Sequence, residues 1–214
     1  LRGWQALRQP LVATIFGLLV GAAVILACGQ NPIEVYKEMF EKSFFKPYYL
    51  FSTLTRATPI IICAMATGMS WRAGYINLGV EGQMVTGTLV ATVTALFLPG
   101  PPVLVAIIAW LAGMAAGALY ALLPSVLVWK FNVSMVITTL MLNYVANYIT
   151  SYFVTYPRKD TSGDGLALQT PEIAAGMRLP RLSSTSTFNA GFIVAILVVV
   201  FMVFITRKTV FGYE

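Results

Sequence analysis

Histidine is absent from the 214 residues, and the two cysteines, Cys28 and Cys63, both lie in apolar runs. A zinc site, a histidine-based catalytic triad and a disulfide framework therefore all lack parts, and two buried free thiols are expected. Charge is scarce as well: only 10% of the residues are Asp, Glu, Lys or Arg, against 58% hydrophobic. Soluble domains carry roughly 25% charge, so this composition excludes one and points to an integral membrane protein. The net charge is +6, but the basic residues stand singly or in pairs, with no basic run that would track a nucleic acid. They read as loop and headgroup anchors in a lipid bilayer. No phosphate-binding loop of the Gly-rich, Lys-Ser/Thr type occurs. Asp160 and Asp164 fall in a loop, which with the missing histidine removes both kinds of intramembrane protease dyad.

What the sequence does have is long apolar runs. Five approach the length that crosses a bilayer: roughly residues 11–28, 49–71, 103–129, 133–154 and 190–206. A sixth, Met84 to Leu98, is too short alone and must recruit residues from the polar stretch before it. The expected fold is all-α, a polytopic membrane helix bundle of about six spans, as one transmembrane domain over residues 1–214, with a short broken or re-entrant segment around residues 74–83. Arg2, Arg8, Arg72, Lys130, Arg207 and Lys208 fall on one side if six spans alternate, which makes that side cytoplasmic and places residues 30–48 and 155–189 outside. In the first outer segment, Asn31 reads as a helix cap, Pro32 as the first helical residue, and Ile33, Tyr36 and Phe40 as an apolar stripe lying on the interface. The second outer segment reads as a loop with one short helix. The first run has no small-residue cleavage pattern, so a removable signal peptide is not expected, and the missing initiator Met suggests a trimmed or partial chain.

The polar residues near the spans are few enough to consider singly. Glu81 is the one acid inside or beside a span, and a carboxylate at that depth needs partners, water or a function. Gly74, Gly79 and Gly82 surround it and let the backbone bend or a neighbour approach, while Asn77 and Gln83 supply donors and acceptors. Either this cluster lines a cavity, or Glu81 is satisfied internally by Arg72 or by backbone amides. Thr139, Asn143 and Asn147 follow at i+4 in the run 133–154, stacking on one helix face that continues to Thr150 and Ser151, with Tyr144 and Tyr148 alongside. Amides beside aromatics suit a hydroxylated or heterocyclic solute, and they equally suit interhelical hydrogen bonds. Gly17 with Gly21, and Gly113 with Gly117 and Ala121, have the spacing of close helix packing. Arg56 and Pro59, near the outer end of the second run, read as a snorkelling side chain and a kink.

Three stretches, "GYINLGVEGQMVTG", "TTLMLNYVANYI" and "TRKTVFGYE", resemble the permease subunit of a bacterial ABC importer of the nucleoside or simple-sugar type. That subgroup carries an N-(I/L)-G-x-E-G-Q motif, matched at Asn77, Leu78, Gly79, Val80, Glu81, Gly82 and Gln83. The ribose-type permeases usually have an Asp-Leu-Ser-Val-Gly pattern there, and the branched-chain amino-acid type differs again. The resemblance implies a subunit with no cofactor and no catalytic residues in the bacterial inner membrane, its energy supplied by a separate ATPase subunit. It further implies a second permease subunit and an extracytoplasmic substrate-binding (lipo)protein as partners. Phe211, Gly212, Tyr213 and Glu214 would begin the helix that couples to the ATPase, with further spans beyond it. A different class, an ion-coupled secondary transporter using Glu81, also fits an acid in a broken helix.

Overall fold

The computed structural model describes residues 2–156, 169–183 and 186–209, with side chains from Pro10 onward. Among these the chain forms seven α-helices: α1 (Arg2–Ala27), α2 (Pro32–Phe40), α3 (Pro47–Arg72), α4 (Val80–Phe97), α5 (Pro102–Phe131), α6 (Met135–Thr155) and α7 (Gly191–Lys208). Two compact units are present, Leu1–Thr55 with Ser183–Phe188, and Arg56–Leu182 with Asn189–Glu214.

In the first unit, α1 ends where Gly29 takes a left-handed conformation (φ +77°), so that its N–H and that of Gln30 close back on the carbonyls of Leu26 and Ile25. The next helix starts as the sequence predicts. Asn31 Oδ1 accepts from the Ile33 N–H at 3.1 Å and Pro32 occupies the first turn. A π-helical turn, Glu41–Phe45, follows α2, and the hydrogen bond and charge of Lys42 hold the exposed Glu38 carboxyl below its usual range. Tyr36 on α2 donates to the Leu18 carbonyl of α1 at 2.7 Å. Gly21 makes room for it, because a Cβ there would lie 2.7 Å from the Tyr36 hydroxyl. The expected Gly17–Gly21 ridge thus differs in use: Gly21 faces a tyrosine, and Gly17 has nothing within 4 Å among the described residues. Phe51 and Phe188 stack with ring centroids 5.2 Å apart.

The second unit is built on α4, α5 and α6, which pack on one another. Helices α4 and α5 cross at glycine. A Cβ on Gly113 would stand 2.8 Å from the Gly87 carbonyl and 3.0 Å from Ala91, and one on Gly117 would stand 3.2 Å from the Gln83 carbonyl. Backbones so close gain packing that any side chain would wedge apart. The Gly113–Gly117 ridge is as the spacing predicts; its counterpart, Gly87 with Ala91 one turn on, carried no expectation. Asn132 ends α5 in the left-handed region (φ 52°), a conformation its short polar side chain tolerates, and the chain reverses into α6 within three residues. Tyr120 on α5 then donates to the Leu142 carbonyl of α6 at 2.7 Å. Among the described residues Val105, Ala109, Pro124, Ala146 and Ala195 are buried.

Among the described residues five helices are long and apolar enough to cross a membrane: residues 10–27 of α1, and α3, α4, α5 and α7 in full. The recruitment expected for the short run takes place, since α4 begins at Val80 and reaches 18 residues, about 27 Å. Helix α6 has the length, at 21 residues, but not the apolarity, because Asn143, Asn147 and its hydroxyls lie along it. The irregular stretch is shorter than expected, residues 73–79, and Val80 to Gln83 are helical. Within the second outer segment a single 3-10 turn, Ala175–Met177, is the one short helix among the described residues.

Replacing Gly113 by Ala is expected to lower the thermal midpoint and the yield of folded protein in detergent, since the methyl must displace the Gly87 carbonyl. Gly17→Ala, in open space and with a helix propensity better by about 1 kcal/mol, is expected to leave both unchanged or raised. Equal behaviour of the two variants in a thermal-unfolding assay would contradict the glycine crossing.

Candidate functional site

Three hydrogen-bonding layers hold the stretch that separates α3 from α4. At its start, Gly74 (φ +84°) ends α3: its N–H returns to Trp71 O and that of Tyr75 to Ser70 O, while the Ser70 hydroxyl donates to Tyr75 O at 2.8 Å. The middle is braced locally, with Asn77 Oδ1 accepting from the Gly79 N–H at 2.8 Å. The end is held by α6. The Leu78 N–H donates to Thr139 Oγ1 at 3.3 Å, Asn143 Nδ2 donates to the Leu78 carbonyl at 2.9 Å, and Asn143 Oδ1 accepts from the Gly82 N–H at 2.9 Å. One turn further, Asn147 Nδ2 donates to Glu81 Oε1 at 3.2 Å.

The i+4 line of α6 is therefore matched to the first turn of α4. Gly82 N–H is one of the helix-start donors that have no partner inside their own helix, and Asn143 supplies the cap from a neighbouring helix. Gly79 and Gly82 are the residues that permit the approach: a Cβ on Gly79 would meet Thr139 Cβ at 3.1 Å, and one on Gly82 would meet the Asn143 side chain at 2.9 Å and Ala146 at 3.3 Å. Thr139, Asn143 and Ala146 are buried. Both functional atoms of the Asn143 amide face backbone groups, so this residue makes interhelical hydrogen bonds.

Glu81 and Asn147 are different. The carboxylate stands in the first turn of α4, where the helix dipole favours a negative charge, and it is exposed, with Asn147 half-exposed beside it. Arg72 makes no ion pair with Glu81 among the described residues, which leaves Asn147 as its partner and sets aside the Arg72 alternative. The Val80 and Glu81 N–H groups have no hydrogen-bond partner among the described residues. Glu81 Oε2 and Asn147 Oδ1 accept no hydrogen bond among the described residues and are suited to hydroxyl or amine donors. Gln83 is half-buried and makes no side-chain hydrogen bond among the described residues; its carbonyl faces Gly117. Tyr144 is 60% exposed and Tyr148 75%, so both rings lie off the packed face. Thr150 Oγ1, further along the polar line, is buried without a hydrogen-bond partner among the described residues. Phe211, Gly212, Tyr213 and Glu214 lie outside the described residues.

Among the described residues no three His, Cys, Asp or Glu side chains form a group able to hold a metal. Cys28 and Cys63 are free thiols, with Cys28 exposed and Cys63 3.6 Å from the Met84 sulfur.

Residues 49–214 match the family described as "Branched-chain amino acid transport system / permease component". The chain is similar to the guanosine ABC transporter permease protein NupP of Bacillus subtilis, 31% identical over 97% of this chain and 60% of that protein. It is likewise similar to the nucleoside ABC transporter permease protein NupB of Lactococcus lactis, 32% identical over 96% of this chain and 58% of the relative. To the glucose ABC transporter permease protein TsgB13 of Haloferax volcanii it is 30% identical, over 99% of this chain and 58% of the relative. The chain thus spans well under two thirds of the length of these curated relatives. No solved structure matches it.

Asn143→Leu is expected to reduce the amount of folded protein markedly. It strands the Leu78 carbonyl and the Gly82 N–H together, each costing about 1–3 kcal/mol when buried. Tyr144→Phe, which removes a hydroxyl that faces outward, is expected to match the parent. Size-exclusion profiles and thermal midpoints of the two variants side by side provide the check.

Proposed function

The chain belongs to the family of permease components of branched-chain amino acid transport systems, and from that premise we propose that it forms part of the translocation path of an ATP-driven importer for a nucleoside or simple sugar. It is a multi-pass membrane protein, and we place it in the bacterial inner membrane. The single observation that carries the choice of solute is the set of relatives, whose names specify guanosine, nucleosides and glucose. The N-x-G-x-E-G-Q stretch, Asn77 to Gln83, is what the nucleoside and simple-sugar permeases share in the resemblance drawn above.

In this reading the permease catalyses nothing. A separate ATPase subunit supplies the energy, a second permease subunit completes the path, and an extracytoplasmic binding protein delivers the solute, so that the path opens to each side in turn. Roles divide along α6. Thr139 and Asn143 hold the backbone of the α3–α4 connector, with Gly79 and Gly82 admitting them. Glu81 and Asn147, with Tyr144 on the same helix, present donors, acceptors and a ring to the passing solute, and Asn77 and Gln83 border them. Gly74, Gly113 and Gly117 keep the bends and close contacts that this arrangement requires. The sugar hydroxyls common to nucleosides and hexoses fit acceptors of the Glu81–Asn147 kind.

The test is uptake by proteoliposomes holding the full-length permease with its partners. Uptake that requires ATP, the ATPase and the binding protein is expected, whereas uptake driven by an ion gradient without ATP would overturn the reading in favour of a carboxylate-coupled secondary transporter. In the same assay Asn147→Leu is expected to lower uptake per assembled complex with little change in assembly. Normal uptake per complex alongside reduced assembly would assign Asn147 to packing instead.

A further inference from the structure

Two lines of side chains run side by side along α6. Thr139, Asn143 and Asn147 are followed at the same i+4 spacing by Ser151 and Thr155, so the polar line continues to the end of the helix. Next to it Tyr144, Tyr148, Tyr152 and Tyr156 also repeat at i+4, each rung about 6 Å beyond the last along the helix axis. All four tyrosines are more than half exposed, whereas Thr139, Asn143 and Ala146 are buried on the packed face. The Tyr152 and Tyr156 rings lie with centroids 5.3 Å apart. Tyr36 and Tyr120 each donate to a backbone carbonyl, but none of the four ladder hydroxyls makes a hydrogen bond among the described residues. Tyrosines that anchor a span in lipid sit at its ends. Tyr144 and Tyr148 are instead the tenth and fourteenth of the 21 residues of α6, where a bare hydroxyl calls for water or a polar solute.

We propose that the two lines together form a track for a nucleoside, the polar line meeting the ribose hydroxyls and the tyrosine line stacking on the base. This rests on the importer reading above and narrows its solute. From Asn147 onward the polar line is open: Asn147 is half-exposed beside Glu81 and Ser151 is exposed, whereas the Asn143 amide is taken up by backbone groups. A nucleoside joins a hydroxylated ring to a flat heteroaromatic one, and α6 offers neighbouring surfaces for both. A hexose carries hydroxyls around its only ring, so it fits the polar line and brings no flat π-system to four tyrosines. Stacking on an aromatic face accepts any base, and rungs that repeat along the helix let the base pass from one ring to the next without a deep trap at any of them.

The experiment is uptake of guanosine, uridine and glucose by proteoliposomes holding the full-length permease with its partners, with the assembled complex quantified for every variant. The parent is expected to take up a nucleoside with ATP. Tyr144→Leu/Tyr148→Leu is expected to lower that uptake per assembled complex by about tenfold or more. Tyr144→Phe/Tyr148→Phe, which keeps the rings and removes only the hydroxyls, is expected to rescue it. Tyr148→Leu alone, at the most exposed rung, decides the matter if the double leucine variant does not assemble. Parental uptake per complex in the leucine variants would overturn the track, and reduced assembly with that uptake unchanged would make the tyrosines a packing face. ATP-dependent uptake of glucose without either nucleoside would overturn the track while leaving the importer reading intact. No ATP-dependent uptake of any of the three would overturn the importer reading, and the track with it.

Discussion

Backbone amides and carbonyls cannot be left bare where there is no water to bind them, and the arrangement around α4 and α6 follows from that constraint. Between Ala73 and Gly79 the chain is not helical, yet its last residues lie beside Thr139 and Asn143, one and two turns into α6. An irregular segment at that level needs partners from elsewhere. Asn143 meets the need with one amide, donating to Leu78 and accepting from Gly82, and Thr139 takes the Leu78 N–H. The polarity that keeps α6 from being apolar enough to count as a span on composition is the same polarity that lets α4 begin where it does.

The glycines belong to the same device. Gly79 and Gly82 bring the start of α4 within reach of α6, and Gly87 carries the opposite face of α4 onto Gly113 of α5. Three helices thus meet with backbone against backbone. Such contacts hold the start of α4 on two sides, while Glu81 stays exposed on a third.

Much of this was legible in the sequence, and the remainder was hidden for definite reasons. The apolar runs located the helices to within about four residues at every end but one, since α1 begins at Arg2, well before the run that starts near residue 11. The Asn31–Pro32 cap and the left-handed Gly74 follow from local rules that need no tertiary context, and the Gly113–Gly117 ridge announces itself by spacing. The i+4 line of Thr139, Asn143 and Asn147 showed that one face of α6 is special, but not what it meets, because the partners of Asn143 are main-chain groups of Leu78 and Gly82, which any residue would supply. For that reason only geometry could show which groups that amide meets. Gly87 passed without an assigned role, since a lone glycine in an apolar run gains meaning only beside Gly113. The start of α4 at Val80, inside what looked like a continuous break, depends on a cap that comes from another helix.

The central claim is that α6 side chains hold the end of the α3–α4 connector out of reach of water, and hydrogen–deuterium exchange of the full-length protein in nanodiscs measures it directly. In the parent, the amides of Leu78 and Gly82 are expected to exchange slowly, as protected backbone does, and in a Thr139→Val/Asn143→Leu protein they are expected to speed up selectively while peptides from α5 keep the parental rate. Rapid exchange of Leu78 and Gly82 in the parent, or rates in the variant indistinguishable from it, would contradict the claim.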